Sequence, residues 1–213
     1  MNSAYREGPS FGFPTVGPAL KRLMIALAVI FVLDLPFGGG LQRTFGFSLE
    51  GMLDAFDLGS LRAFTYMWVH SYGNPSHLLF NLLFLYFFGT MVEQRVGYLG
   101  MFKMFVAGGL AGGVLYAALS PLSGTSGVPV VGASGAATAC IVYAATWQPH
   151  SPVMLFFVLR MPLWLVATLI VGLDFYMAWF QIQNGIPDQV ARTAHLGGAA
   201  LGFVACRRSW FID

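Results

Sequence analysis

The chain has 213 residues, of which 57% are hydrophobic and only 9% charged, with mean hydropathy +0.70. A soluble domain is usually about half apolar and a quarter charged, so this composition points to a polytopic membrane protein. The net charge of +2 and the absence of a basic run exclude a nucleic-acid binder, and two isolated cysteines, Cys140 and Cys206, exclude a disulfide framework.

In chain order, residues 1–18 are polar and rich in Gly and Pro, and read as a flexible cytoplasmic tail. The first apolar run, about Leu20 to Leu35, follows Lys21-Arg22 and ends near Asp34 and Gly38-Gly39-Gly40. It is short for a span and workable if tilted. The connection Leu41 to Gly73 is long enough to carry structure of its own. Its Leu53, Phe56 and Leu61 suit short amphipathic helices embedded at the membrane, with Tyr66 and Trp68 as interfacial anchors.

Five further spans follow: His77 to Met91, Tyr98 to Leu119, Val130 to Trp147, Pro162 to Phe180 and Val190 to Cys206. The third is dense in glycine, which permits close helix approach. Val153 to Leu159 is too short to cross and reads as a half-buried connection. If both termini are cytoplasmic, eight of the basic residues lie inside (Arg6, Lys21, Arg22, Arg95, Lys103, Arg160, Arg207, Arg208) and three outside (Arg43, Arg62, Arg192), as the positive-inside rule prefers.

That orientation makes the second, fourth and sixth spans enter from the outer face. His77, Ser134 and His195 each lie within about five residues of a span start, so at ~1.5 Å per residue they share a shallow depth. Alone, Gly132-Ala133-Ser134-Gly135 is more often a packing notch, and His77 could simply reach the interface. Together they supply an acyl-transfer site. Ser134 Oγ attacks a carbonyl and His195 serves as base and then acid. His77 and Asn81, four residues apart and so on one helical face, join the Ser134 backbone N–H as oxyanion donors. Gly132, Gly135 and Gly198 let backbone approach closely. No carboxylate stands out beside His195, so the chemistry reads as a dyad.

These residues resemble the rhomboid family of intramembrane serine proteases. The resemblance runs from Arg62 to Gly202 and is carried by Arg62-Ala63-Phe64-Thr65, His77-Leu78-Leu79-Phe80-Asn81, Gly89-x-x-x-Glu93-x-x-x-Gly97, Gly132-Ala133-Ser134-Gly135 and Ala194-His195-x-x-Gly198-x-x-x-Gly202. Many members carry an aromatic one turn after the serine, where this chain has Thr138. The resemblance implies an all-α, six-transmembrane-helix bundle with a partly helical, membrane-embedded first loop. It implies Ser134 as nucleophile, His195 as base, and His77 and Asn81 as oxyanion donors.

It further implies hydrolysis of a peptide bond in or next to the transmembrane segment of membrane-anchored substrates, with no metal and no cofactor. Partners are then transmembrane protein substrates and the lipid bilayer. The protease domain is expected over 19–208, with 209–213 a C-terminal tail, in a bacterial inner membrane with the site opening to the extracytoplasmic side. Arg62 and Glu93 read as structural polar positions, and Asp174, inside the fifth span, as a structural residue facing the bundle or a gating one. Rival readings are a catalytically inactive client-binding relative and a small proton-coupled transporter.

Overall fold

The computed structural model describes residues 15–54, 59–155, 159–185 and 190–212. The tail up to residue 14, Phe56 of the first connection, and Asp213 lie outside these residues. Helix α1 (Pro18–Asp34) starts with proline at its first turn and has no capping side chain of its own. Its orphan N–H groups are taken by Glu93, whose Oε1 accepts from Ala19 N at 2.8 Å and Oε2 from Leu20 N at 2.9 Å. At its other end Asp34 accepts from Leu41 N (2.7 Å) and Gln42 N (3.1 Å), so the residue that closes α1 also opens α2 (Gly40–Phe45).

The first connection is built of helical pieces: α2, α3 (Leu49–Leu53), α4 (Gly59–Thr65) and a 3-10 turn at Tyr66–Trp68. Tyr66 is not an interfacial anchor. It is buried, and its hydroxyl donates to Gly109 O at 2.6 Å, because Gly112 and Gly113 of the helix Thr90–Leu119 leave room for its ring. Trp68 is half-buried and packs its ring 5.0 Å from that of Phe105.

Helix α5 (Pro75–Phe84) widens into a π-helical stretch, Leu85–Gly89, and continues as α6 (Thr90–Leu119). The 45-residue run would be about 68 Å long at ~1.5 Å per residue, more than twice a ~30 Å hydrocarbon core. Gly97, at φ 73° and ψ −174°, breaks it into two helices, 75–96 and 98–119. That left-handed φ is open to glycine and costly to other residues. The helix expected over His77 to Met91 therefore runs on to residue 96.

Helix α7 (Ser134–Trp147) follows, then strands β1 (Pro152–Leu155) and β2 (Leu159–Pro162), then α8 (Leu163–Asn184) and α9 (Arg192–Arg207). The connection read as half-buried carries an antiparallel strand pair in which Val153 faces Met161, so the chain is mostly helical with a little sheet. Pro149, Pro152 and Pro162 keep this segment out of helix. Among the described residues two helical runs, Pro75–Leu119 and Leu163–Asn184, are long and apolar enough to cross a membrane. With 17, 14 and 16 residues, α1, α7 and α9 fall short on length alone, so length does not establish six crossings.

Helix α7 is the centre of the molecule. Gly135 through Ile141 are all buried, between α6 on one side and α9 on the other. At the seam with α9, a Cβ on Gly198 would lie 1.9 Å from Gly135 O, and one on Gly202 would lie 2.2 Å from Ala139 O. The two backbones thus touch directly. The outer faces of α1 and α8 expose Ile25, Val29, Val32, Leu169, Phe175 and Trp179. Water would not tolerate so much apolar surface, whereas lipid would.

Candidate active site

A cavity of about 750 Å³ opens between α5, α7, α8 and α9, and Ser134, His195, His77, Asn81 and Asp174 all line it. The sequence places these residues on four separate elements, so the fold alone brings them together. Ser134 is the first residue of α7, where unpaired backbone N–H groups and the positive end of the helix dipole point outward. Its side chain is half-buried, as are those of His77 and His195, while Asn81 is only 3% exposed.

The residues leading into Ser134 are tied to the first connection. Val130 and Phe47 exchange two backbone hydrogen bonds, at 2.8 and 2.9 Å, and Gly132 N donates to Tyr66 O at 2.9 Å. Ala133 N donates to His70 Nε2 at 3.4 Å. Gly132 has φ +111°, and a Cβ there would lie 2.7 Å from His77 Nε2 and 3.4 Å from Asn81 Nδ2. Only glycine serves at this point, because any side chain would enter the space between the serine turn and the two α5 residues.

Among the described residues Asn81 Nδ2 is buried without a hydrogen-bond partner. A buried amide hydrogen left unpaired costs about 1–3 kcal/mol, and it stands beside the turn carrying Ser134 as a donor awaiting an acceptor. His70 supplies a residue that the sequence motifs did not single out. It is buried, and its ring lies 5.3 Å from that of His77. Burial, and secondarily the neighbouring His77, push its pKa down to about 3. A neutral ring can therefore accept from Ala133 N at any physiological pH. The available signal was a third imidazole seven residues before His77.

His195 departs from the expected dyad. Its Nδ1 lies 2.9 Å from Asp174 Oδ2, and Asp174 Oδ1 lies 3.1 Å from an Arg192 guanidinium nitrogen. A carboxylate does stand beside the imidazole. It was hidden from sequence spacing because it comes from α8, whose inner stripe of Leu163, Val166, Ala167, Asp174, Ala178 and Gln181 turns toward the bundle. Among the described residues no hydrogen bond joins Ser134 Oγ to His195. The two side chains share the cavity, with the ring drawn to the α8 side by its carboxylate.

Thr138, one turn after Ser134, donates to the Ser134 carbonyl at 2.9 Å and offers no ring face to His195. Glu93 caps α1 and Arg62 sits half-buried in the last turn of α4, both away from the cavity. Gly135 and Gly198 act as the α7–α9 contact. Cys140 and Cys206 are buried free thiols, and among the described residues no cluster of His, Cys, Asp and Glu has the arrangement of a metal site.

Comparison with known proteins agrees with this architecture. A family profile described as the Rhomboid domain matches residues 59–208. The chain is also 30% identical over 199 residues to the RHOMBOID-like protein 12, mitochondrial, of Arabidopsis thaliana. That match covers 87% of this chain and 56% of the relative, so the chain spans little more than half of the relative's length. The relative's name places that protein in mitochondria, so a bacterial inner membrane as host gains no support from it. On the domain match and the alignment together, the chain belongs to the rhomboid family, whose members are embedded in membranes.

Proposed function

We propose that this protein is an intramembrane serine endopeptidase that hydrolyses a peptide bond in or next to the transmembrane segment of membrane-anchored proteins. The observation that carries the proposal is one cavity lined by a helix-terminal serine, an imidazole already bonded to a carboxylate, and a buried amide donor without an acceptor. Ser134 Oγ attacks the scissile carbonyl while His195 takes its proton. Negative charge develops on the carbonyl oxygen, toward which the Ser134 N–H, His77 and Asn81 Nδ2 donate. His195 then protonates the leaving amine, and water hydrolyses the acyl-enzyme by the same route in reverse.

The proposed membrane arrangement has six crossings: α1, the two halves 75–96 and 98–119, α7, α8 and α9, with both termini on the cytoplasmic side. Helix α7 has 14 residues and reaches about 21 Å, short of a ~30 Å hydrocarbon core. With Trp147 at one interface, Ser134 sits several ångströms below the other, and the segment 129–133 enters the membrane with its backbone groups bonded to the first connection. Substrate helices must unwind locally before a carbonyl is free, which favours segments with small or helix-breaking residues.

The test uses purified protein in liposomes with a fluorophosphonate probe and a model transmembrane substrate. Wild type takes up the probe and cleaves. Ser134→Ala should abolish labelling and lower cleavage by orders of magnitude, since removal of a serine nucleophile costs on the order of 10⁶ in kcat. Cleavage that survives Ser134→Ala overturns the proposal. A wild type that binds membrane-anchored clients without labelling or cleavage points to the inactive, client-binding alternative.

A further inference from the structure

We infer that Asp174 is a positioning residue for His195, with Arg192 holding the carboxylate in place, so that the site works as a serine–histidine–aspartate relay of orientation and not as a dyad. The inference rests on the peptidase reading above. Each carboxylate oxygen has its own partner: Oδ2 meets His195 Nδ1 at 2.9 Å and Oδ1 meets Arg192 at 3.1 Å. Arg192 and His195 are three residues apart on the first turn of α9, hence on one face, and Asp174 reaches both from the inner stripe of α8. The aspartate is only 5% exposed. A buried carboxylate is costly unless it is paired and hydrogen-bonded, and this one is both.

The geometry has a direct chemical meaning. A carboxylate on Nδ1 holds the proton there and leaves the Nε2 lone pair free to face the cavity that Ser134 lines. When Ser134 Oγ forms its bond to the carbonyl carbon, its proton passes to Nε2. The imidazolium that results is stabilised by Asp174, which takes no proton itself. The proton then leaves with the amine, and Asp174 ends as it began. Among the described residues the ring's hydrogen bond is to α8, and Thr138 on α7 is engaged with the Ser134 carbonyl. The plain alternative is an ion pair that merely pins α8 to α9.

The two roles separate in liposome cleavage assays that report kcat and KM alongside the melting temperature. Asp174→Asn should lower kcat about 100-fold or more, with KM within about twofold and phosphonylation of Ser134 slowed by the same factor. The double variant Asp174→Asn/Arg192→Gln removes the ion pair from both sides. Positioning predicts that its kcat stays as low as that of Asp174→Asn, whereas a pinning role predicts recovery of both kcat and melting temperature.

Asp174→Glu, which keeps the charge and lengthens the reach, covers the case in which Asp174→Asn does not fold. Its kcat should fall about tenfold with melting temperature unchanged. Wild-type kcat in Asp174→Asn or Asp174→Glu, or recovery in the double variant, overturns the inference. If Ser134→Ala still cleaves, or wild type does not, the peptidase reading fails and this inference with it; if Ser134→Ala is dead while Asp174→Asn is unimpaired, only the inference fails.

Discussion

The two seams of α9 are built on opposite principles. Toward α7 it presents Gly198 and Gly202, and backbone meets backbone with no room for a single carbon. Toward α8 it presents Arg192 and His195, which meet Asp174 through charge-assisted hydrogen bonds, while α8 turns Phe175, Tyr176 and Trp179 outward. The first seam fixes where the serine turn and the imidazole backbone stand relative to each other. The second fixes only how the ring is turned. Shape sets position, and a polar bond sets orientation.

The comparison is broken most severely at the shape-determined seam. Gly198→Val places a Cβ 1.9 Å from Gly135 O, a backbone atom that cannot swing aside. Overpacking commonly costs about 1–3 kcal/mol where side chains can yield, and here they cannot, so destabilisation above ~3 kcal/mol and little folded protein are expected in a thermal melt. Gly198→Val with a wild-type melting temperature would show that α7 and α9 are not held by contact.

A second variant tests the pocket wall opposite both seams. Asn81→Ala removes the unpartnered buried Nδ2 and should lower kcat about 10²–10³-fold with the melting temperature preserved or raised, because an unsatisfied group disappears with it. A clear loss of stability with unchanged kcat would assign Asn81 to packing instead. The smallest effect belongs to His70, the tether on the serine turn. Its ring stays neutral down to about pH 3 when folded and takes a proton near pH 6.5 when unfolded.

Between those values the unfolded chain binds the extra proton, so stability is full above about pH 6.5. It falls as the pH drops, by up to ~1.4 kcal/mol per unit. Melting curves at pH 7 and pH 5 should show this loss, and His70→Gln should flatten it. An unchanged pH slope in His70→Gln would place the titration elsewhere.

Much of this arrangement was legible before the fold was known, and the limits of that legibility are physical. Ser134, His77 and His195 announce themselves because polar groups near the ends of apolar runs are expensive, and their parity along the chain predicts a shared side. The cavity they line together needed packing to be seen. Asp174 was noticed as a buried charge, yet 21 residues separate it from His195, and only the rotation of α8 about its axis decides which groove it enters. The strand pair within 152–162 escaped because seven apolar residues give no period that distinguishes strand from buried coil. Tyr66 was misplaced because an amphipathic ring beside a tryptophan suits a membrane surface as well as it suits a glycine-lined hole.

The clasp between Glu93 and the start of α1 carries a consequence for how this polypeptide can be cut. The matched family region begins at residue 59, yet a carboxylate within it is satisfied by two amide hydrogens contributed from residues 19 and 20. A fragment trimmed to the matched residues would leave that carboxylate with neither donor present. An acceptor that stays buried without its donors costs about 1–3 kcal/mol, and more when it carries charge, a sizeable share of what keeps an ordinary domain folded. The opening helix is thus bound into the body of the protein through its neighbour's chemistry, however peripheral it looks along the chain.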